Sequence, residues 1–161
     1  MKLYVKEKLM SFHNRYFIYD ESGEVAYEIE SKVISIGDKT TIYDMSGNKV
    51  AYIEQEIFNL TPNYNIYIKD SYAFKISKKF QLFKNDYVLS NGYEVEGNFL
   101  MFDFVIYDEK NKKVGSIKRQ LISFGDKYEI NILDPSKKEI VLAIIVAITN
   151  DINRMQNSSN N

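Results

Sequence analysis

His13 is the single histidine of a 161-residue chain that has no cysteine. A disulfide framework, a thiolate nucleophile and a thiolate or multi-histidine metal site are thereby excluded. The remaining groups able to move a proton or hold a hard cation are paired carboxylates. Glu94 and Glu96 share one face of a strand, as do Glu54 and Glu56. Charges at alternate positions are also what an exposed strand face carries, and that is the reading taken for both pairs. His13 is read in the same way, as structural or solvent-facing. No phosphate-binding G-x-x-x-x-G-K-[ST], no G-x-G-x-x-G and no G-x-S-x-G occurs. The residues predict no enzyme, no metal and no cofactor, with a carboxylate site at Glu94/Glu96 as the remote alternative.

Basic residues gather in three places: Lys75, Lys78 and Lys79; then Lys110, Lys112, Lys113, Lys118 and Arg119; then Lys137 and Lys138. An internal repeat gives the second group its interest. "IYDESGEVAYEIESKVISIGDK" (18–39) matches "IYDEKNKKVGSIKRQLISFGDK" (106–127), and "IYDMSGNKVAYIEQE" echoes both from Ile42. Where the first copy has Glu24, Glu28 and Glu30, the second has Lys112, Lys113, Lys118 and Arg119. Such a basic face would attract an anionic lipid surface by about 1 kcal/mol per residue near it. A solvated hairpin is the plainer reading of the same residues. The net charge of −1 gives no general pull toward nucleic acid or membrane. The 13 Tyr and 10 Phe could stack on bases, but their alternation turns them inward as core, so no nucleic-acid partner is expected.

The elements that must position these residues are strands. Turn signals recur at short intervals: Asp20-Glu21-Ser22-Gly23, Asp44-Met45-Ser46-Gly47 and Asp108-Glu109-Lys110-Asn111 each follow an Ile-Tyr pair. Gly37-Asp38 and Gly125-Asp126 read as two-residue hairpin loops with Gly first. Further breaks are expected at Thr61-Pro62-Asn63, Asp70-Ser71, Asn85-Asp86 and Asn91-Gly92. Between breaks, Tyr64, Ile66 and Ile68, then Phe102, Phe104 and Ile106, then Tyr128, Ile130 and Ile132 alternate with polar or mixed partners. A period of two over many short segments predicts an all-β barrel or sandwich.

One stretch breaks the pattern. "EIVLAIIVAI" (139–148) has nine apolar residues after Glu139. As a helix these span about 14 Å, less than half a bilayer core, so no transmembrane segment is expected. Two helix starts are available, the S-x-x-E spacing of Ser136 and Glu139 or Asp134-Pro135. A helix apolar on every side must be surrounded, and in an otherwise all-β chain the inside of a closed barrel does that. Burying nine such residues contributes roughly 13–27 kcal/mol gross, more than a typical net stability of about 5–15. The helix is therefore structural, and it should fill the lumen.

Val95 to Ile148 resembles the LURP-one-related proteins of the Tubby C-terminal-like superfamily. The likeness is carried by Glu96-Gly97-Asn98-Phe99, the strand and turn Phe104 to Asp108, Ile122 to Tyr128 and the closing apolar helix. "YDESGEVAYEI" and "SIGDK" extend it into the first half. The resemblance implies a closed antiparallel barrel of about twelve strands around a hydrophobic C-terminal helix. Relatives close that helix with an Ile-Asp pair, whereas here Ile148 is followed by Thr149-Asn150-Asp151. The Tubby and phospholipid-scramblase branches are associated with phosphoinositides or lipid, but their basic pocket residues find no one-to-one match here.

The expectation is one barrel domain over residues 1–154 and a disordered tail over 155–161. The start, "MKLYVKEKLM", lacks the apolar core of a signal peptide, so a cytoplasmic location is expected. The expected function is non-enzymatic: weak binding of anionic phospholipid through Lys112, Lys113, Lys118 and Arg119, or, as the alternative, a protein-interaction scaffold.

Overall fold

The computed structural model describes residues 1–6, 15–33, 37–81, 84–121 and 127–160. Twelve strands form one sheet: β1 (Lys2–Lys6), β2 (Arg15–Tyr19), β3 (Val25–Val33), β4 (Asp38–Asp44), β5 (Lys49–Gln55), β6 (Asn63–Ile68), β7 (Ser71–Gln81), β8 (Lys84–Leu89), β9 (Glu94–Asn98), β10 (Asp103–Tyr107), β11 (Lys113–Gln120) and β12 (Lys127–Ile132). The sheet order is β8-β7-β6-β5-β4-β3-β2-β1-β12-β11-β10-β9, antiparallel throughout. Each strand pairs with its neighbour in sequence, and β1 pairs with β12, which nearly closes the ring. Only β8 and β9, consecutive in the chain, share no ladder. That seam is stitched by side chains, with the Tyr87 and Phe99 ring centroids 5.1 Å apart. The expected barrel is present, closed except there.

Antiparallel order sorts the connections onto two ends. Those following odd-numbered strands lie at what we term the upper end, and those following even-numbered strands at the lower. Three lower turns are built alike. In each, an Asp side-chain oxygen accepts the backbone N–H groups two and four residues on: Ser22 and Glu24 for Asp20, Ser46 and Asn48 for Asp44, Lys110 and Lys112 for Asp108, at 2.8–3.1 Å. The residue three beyond the Asp has positive φ, being Gly23, Gly47 and Asn111. Each hairpin also carries a register shift between its Ile and Tyr, at Ile18/Tyr19, Ile42/Tyr43 and Ile106/Tyr107. The sequence repeat is thus a repeated bulged hairpin.

Two turn expectations fail. Asp38 already pairs with Val33, so Gly37-Asp38 is not a two-residue loop. Asn85-Asp86 lies within β8, where Asn85 and Asp86 pair with Phe80 and Lys79; hydrogen bonding in the ladder overrides the local turn preference. Gly125-Asp126 lies outside the described residues. Asp70 does form a turn, with φ positive at both Lys69 and Asp70.

Inside the barrel runs the helix α1 (Lys138–Ser159). It starts from Asp134-Pro135: the Asp134 side chain accepts from the Ser136 N–H at 3.1 Å, and Pro135 opens a 3-10 turn. Ser136 donates its hydroxyl back to Asp134 and leaves Glu139 uncapped, so the S-x-x-E alternative is not used. Residues Val141 to Thr149 are buried on all sides. They meet inward residues such as Ile29, Ile42, Ile66, Phe74, Phe104 and Ile117. Gly115 lets the helix approach, since a Cβ there would come within 2.4 Å of Val141 Cγ1. The helix enters at the lower end, emerges at the upper, and continues to Ser159 with its residues from Gln156 on exposed. Among the described residues no helix is long and apolar enough to cross a membrane.

Candidate functional site

Where α1 approaches the upper end its sequence turns polar, and a charged network replaces the apolar core. Asp151 is 1% exposed. It accepts from Tyr64 Oη on β6 at 2.5 Å, from Lys78 Nζ on β7 at 2.8 Å and from Tyr87 Oη on β8 at 2.7 Å. Arg154, one turn on, donates to Tyr64 Oη and Gln55 Oε1 and pairs with Asp38 Oδ2 at 2.8 Å. Burial pushes the Asp151 carboxyl upward. The bonds from Lys78, Tyr64 and Tyr87 outweigh that and hold it below its ordinary value. Burial and the neighbouring Asp151 charge raise both tyrosines. Every member has a partner, and the network fastens the helix to five strands, β4 to β8.

Lys78 is therefore not part of a solvated basic cluster with Lys75 and Lys79. It shares inward parity with Phe74 and Ile76, and its side chain is 4% exposed. That parity was the available signal, because an inward lysine needs a buried partner. The departure noted at Thr149-Asn150-Asp151 falls on this network.

The four basic residues expected to act together are split. Lys112 sits in the lower turn, 3.7 Å from Asp134, and Lys113 opens β11 beside it. Lys118 and Arg119 lie five and six residues further, about 15–20 Å along the strand, at the upper end. There they have company not foreseen from sequence. Gln120 pairs with Lys127 on β12, and Lys127 pairs with Lys6 on β1. Like charges directly opposite on neighbouring strands repel. Each ammonium stands over a tyrosine ring, Lys6 over Tyr19 at 5.8 Å and Lys127 over Tyr4 at 4.6 Å. Glu129, across from Lys118, is engaged by Gln120, Asn131 and Lys2. A basic corner thus spans β1, β12 and β11 at the upper end.

At the lower end Lys49, Lys69, Lys112 and Lys137 are each paired with a carboxylate. Lys137 donates to Asp108 at 2.8 Å, and with the Lys110 and Lys112 backbone N–H groups it holds that carboxyl down at about 2. Glu54 faces Lys39 at 3.4 Å, and Glu56, just past β5, binds Lys75 and Asn59. Glu94 and Glu96 are exposed on β9. No group of three metal-ligating side chains occurs among the described residues. His13 lies outside them.

Comparison with known proteins follows the architecture. A family model described as LURP-one-related matches residues 1–149. The chain is 28% identical over 153 residues to the uncharacterized protein YxjI of Bacillus subtilis, covering 94% of this chain and 93% of that one. An X-ray structure of a protein from Arabidopsis thaliana superposes with a TM-score of 0.66 at 17% identity, over 94% of this chain and 90% of its own. At that identity the likeness is one of fold.

Proposed function

Because the chain belongs to the LURP-one-related family, whose fold brings no particular chemistry with it, we propose a function from its own surface. The domain is a non-catalytic binding module that meets anionic lipid headgroups through Lys6, Lys118 and Lys127; Arg119, on the inward parity of Ile117 and opposite buried Tyr128, is left out. The observation that carries this reading is the direct pairing of Lys6 with Lys127 beside the outward Lys118, on three adjacent strands. Cations gathered against their own repulsion are poised for an anionic counterpart, and phosphate-bearing headgroups supply one. Lys112 and Lys113, at the other end, take no part.

Co-sedimentation with liposomes tests this. Binding to phosphatidylserine or phosphoinositide vesicles, absent with neutral ones and weakening as salt rises, is expected. Lys6→Glu with Lys118→Glu should abolish it, and Lys112→Glu with Lys113→Glu should leave it unchanged. Equal binding to neutral vesicles, or none to any, would refute the reading. The alternative, a protein-interaction scaffold, draws on the seam, where β8 and β9 each keep one edge outside a ladder. Glu94 and Glu96 place charges on β9, a usual guard against strand addition, so this reading ranks second.

A further inference from the structure

Eleven large hydrophobic side chains are exposed among the described residues, and six of them stand on upper-end connections. Ile57, Phe58 and Leu60 follow β5, Leu100 and Met101 follow β9, and Leu121 follows β11. Phe58 is 95% exposed, Leu60 107% and Leu121 77%. The other five, Met1, Met45, Tyr72, Val88 and Leu133, lie toward the lower end, so it is the near-complete exposure of Phe58, Leu60 and Leu121 that sets the upper end apart. Phe58 also holds a φ of 69°, which is uncommon for a residue with a side chain and so calls for a reason.

We infer that the upper end docks on an anionic bilayer with these loop tips inserted among the headgroups, Phe58 and Leu60 foremost. The inference rests on the lipid reading of the basic corner and adds orientation and depth to it. Two features choose a bilayer as the occupant. The β9 and β11 connections are near neighbours around the ring, whereas the β5 connection stands well round on the other side of the mouth. Tips separated across a mouth suit a plane better than a compact protein patch. The charge also fits: Leu121 directly follows Lys118, Arg119 and Gln120, and Lys6 and Lys127 stand beside them. Apolar tips with flanking cations are the pattern of interfacial insertion. Of the acidic groups of this end, Glu56 is engaged by Lys75 and Asp38 by Arg154, while Asp103 stands exposed beside Leu100 and Met101. The emerging helix residues Gln156 to Asn160 carry no charge.

The chain contains no Trp, so Phe58→Trp introduces a sole indole reporter. Met45→Trp, in a lower turn and 61% exposed, is the control. With phosphatidylserine vesicles carrying brominated acyl chains, the indole at 58 should shift to the blue and be quenched, and that at 45 should do neither. Phe58→Ala with Leu60→Ala should weaken vesicle binding about tenfold and leave its salt dependence intact. Co-sedimentation with an unmoved indole at 58 would overturn the insertion and leave the headgroup reading standing. No co-sedimentation would remove both. A blue shift that grows with protein concentration in the absence of lipid would make the occupant a second copy of the chain, and would equally overturn the inference.

Discussion

The two ends of the barrel are built on different terms. At the lower end three Asp-anchored turns repeat one hydrogen-bonding scheme, the 3-10 turn leading into the helix is capped by Asp134, and Lys137 is tied to Asp108. At the upper end Phe58, Leu60 and Leu121 are the most exposed large apolar side chains among the described residues, and the helix is held by a buried ion network. The lower turns settle their backbone groups within four residues of sequence. The upper network settles its groups between elements far apart in the chain. The lesson is that local turn chemistry fixes the register at one end, while the other is held by contacts between distant elements.

The strongest way to break the comparison is to attack what both ends share. Ile145, 1% exposed, lies midway along the buried part of α1. Ile145→Asp places an unpartnered carboxylate there and should cost about 5 kcal/mol or more, enough to abolish folding. A soluble variant with a cooperative thermal transition would show that the helix is not enclosed.

Next is the upper network. Lys78→Met leaves Asp151 buried without its cation, and a loss of about 3–5 kcal/mol is expected in denaturant unfolding. Adding Asp151→Asn should recover part of that loss, because the charge left behind is what costs most. Additive losses in the double variant would show that the two residues act independently.

Acid distinguishes the ends more gently. Asp108 is held at about 2 and Asp151 below its ordinary value, so each stabilises the fold above the unfolded value near 3.8. That contribution is lost as pH falls through the folded value. The melting temperature should drop between about pH 4 and 2, and less steeply in Asp108→Asn. A profile unchanged by that substitution would mean the Lys137 contact is not maintained in solution. The smallest effect belongs to the repeated turn. Asn111 fills in the third copy the positive-φ position that Gly23 fills in the first, where nothing lies within 4 Å of a built Cβ. Gly23→Asn should therefore shift stability by less than about 0.5 kcal/mol, whereas Gly23→Val should cost more than about 1.

These contrasts also explain what could be read from the chain. Asp20, Asp44 and Asp108 announce their turns because donor and acceptor lie within four residues. Val141 to Ile148 announces a surrounded helix because no amphipathic stripe is left. Asp151 and Lys78 are 73 residues apart, and a lysine between Lys75 and Lys79 reads as surface until strand parity is followed. Lys118 and Arg119 were visible, but Lys6 and Lys127 join them only through the pairing of β1 with β12. The apolar loops were plain as residues. Their placement at the upper end needed the strand order.

The pairing of β1 with β12 also governs how the molecule comes into being. A chain leaving the ribosome completes eleven strands before the strand that closes the ring onto its first has been made, and the helix that fills the centre follows later still. Until then, strands with bare edges have only one another to lie against. Folding therefore waits until the helix has been synthesised, in the regime of slow, non-local topologies exposed to aggregation. The Asp-anchored hairpins, which need only adjacent sequence, are the parts able to form while the rest is still awaited.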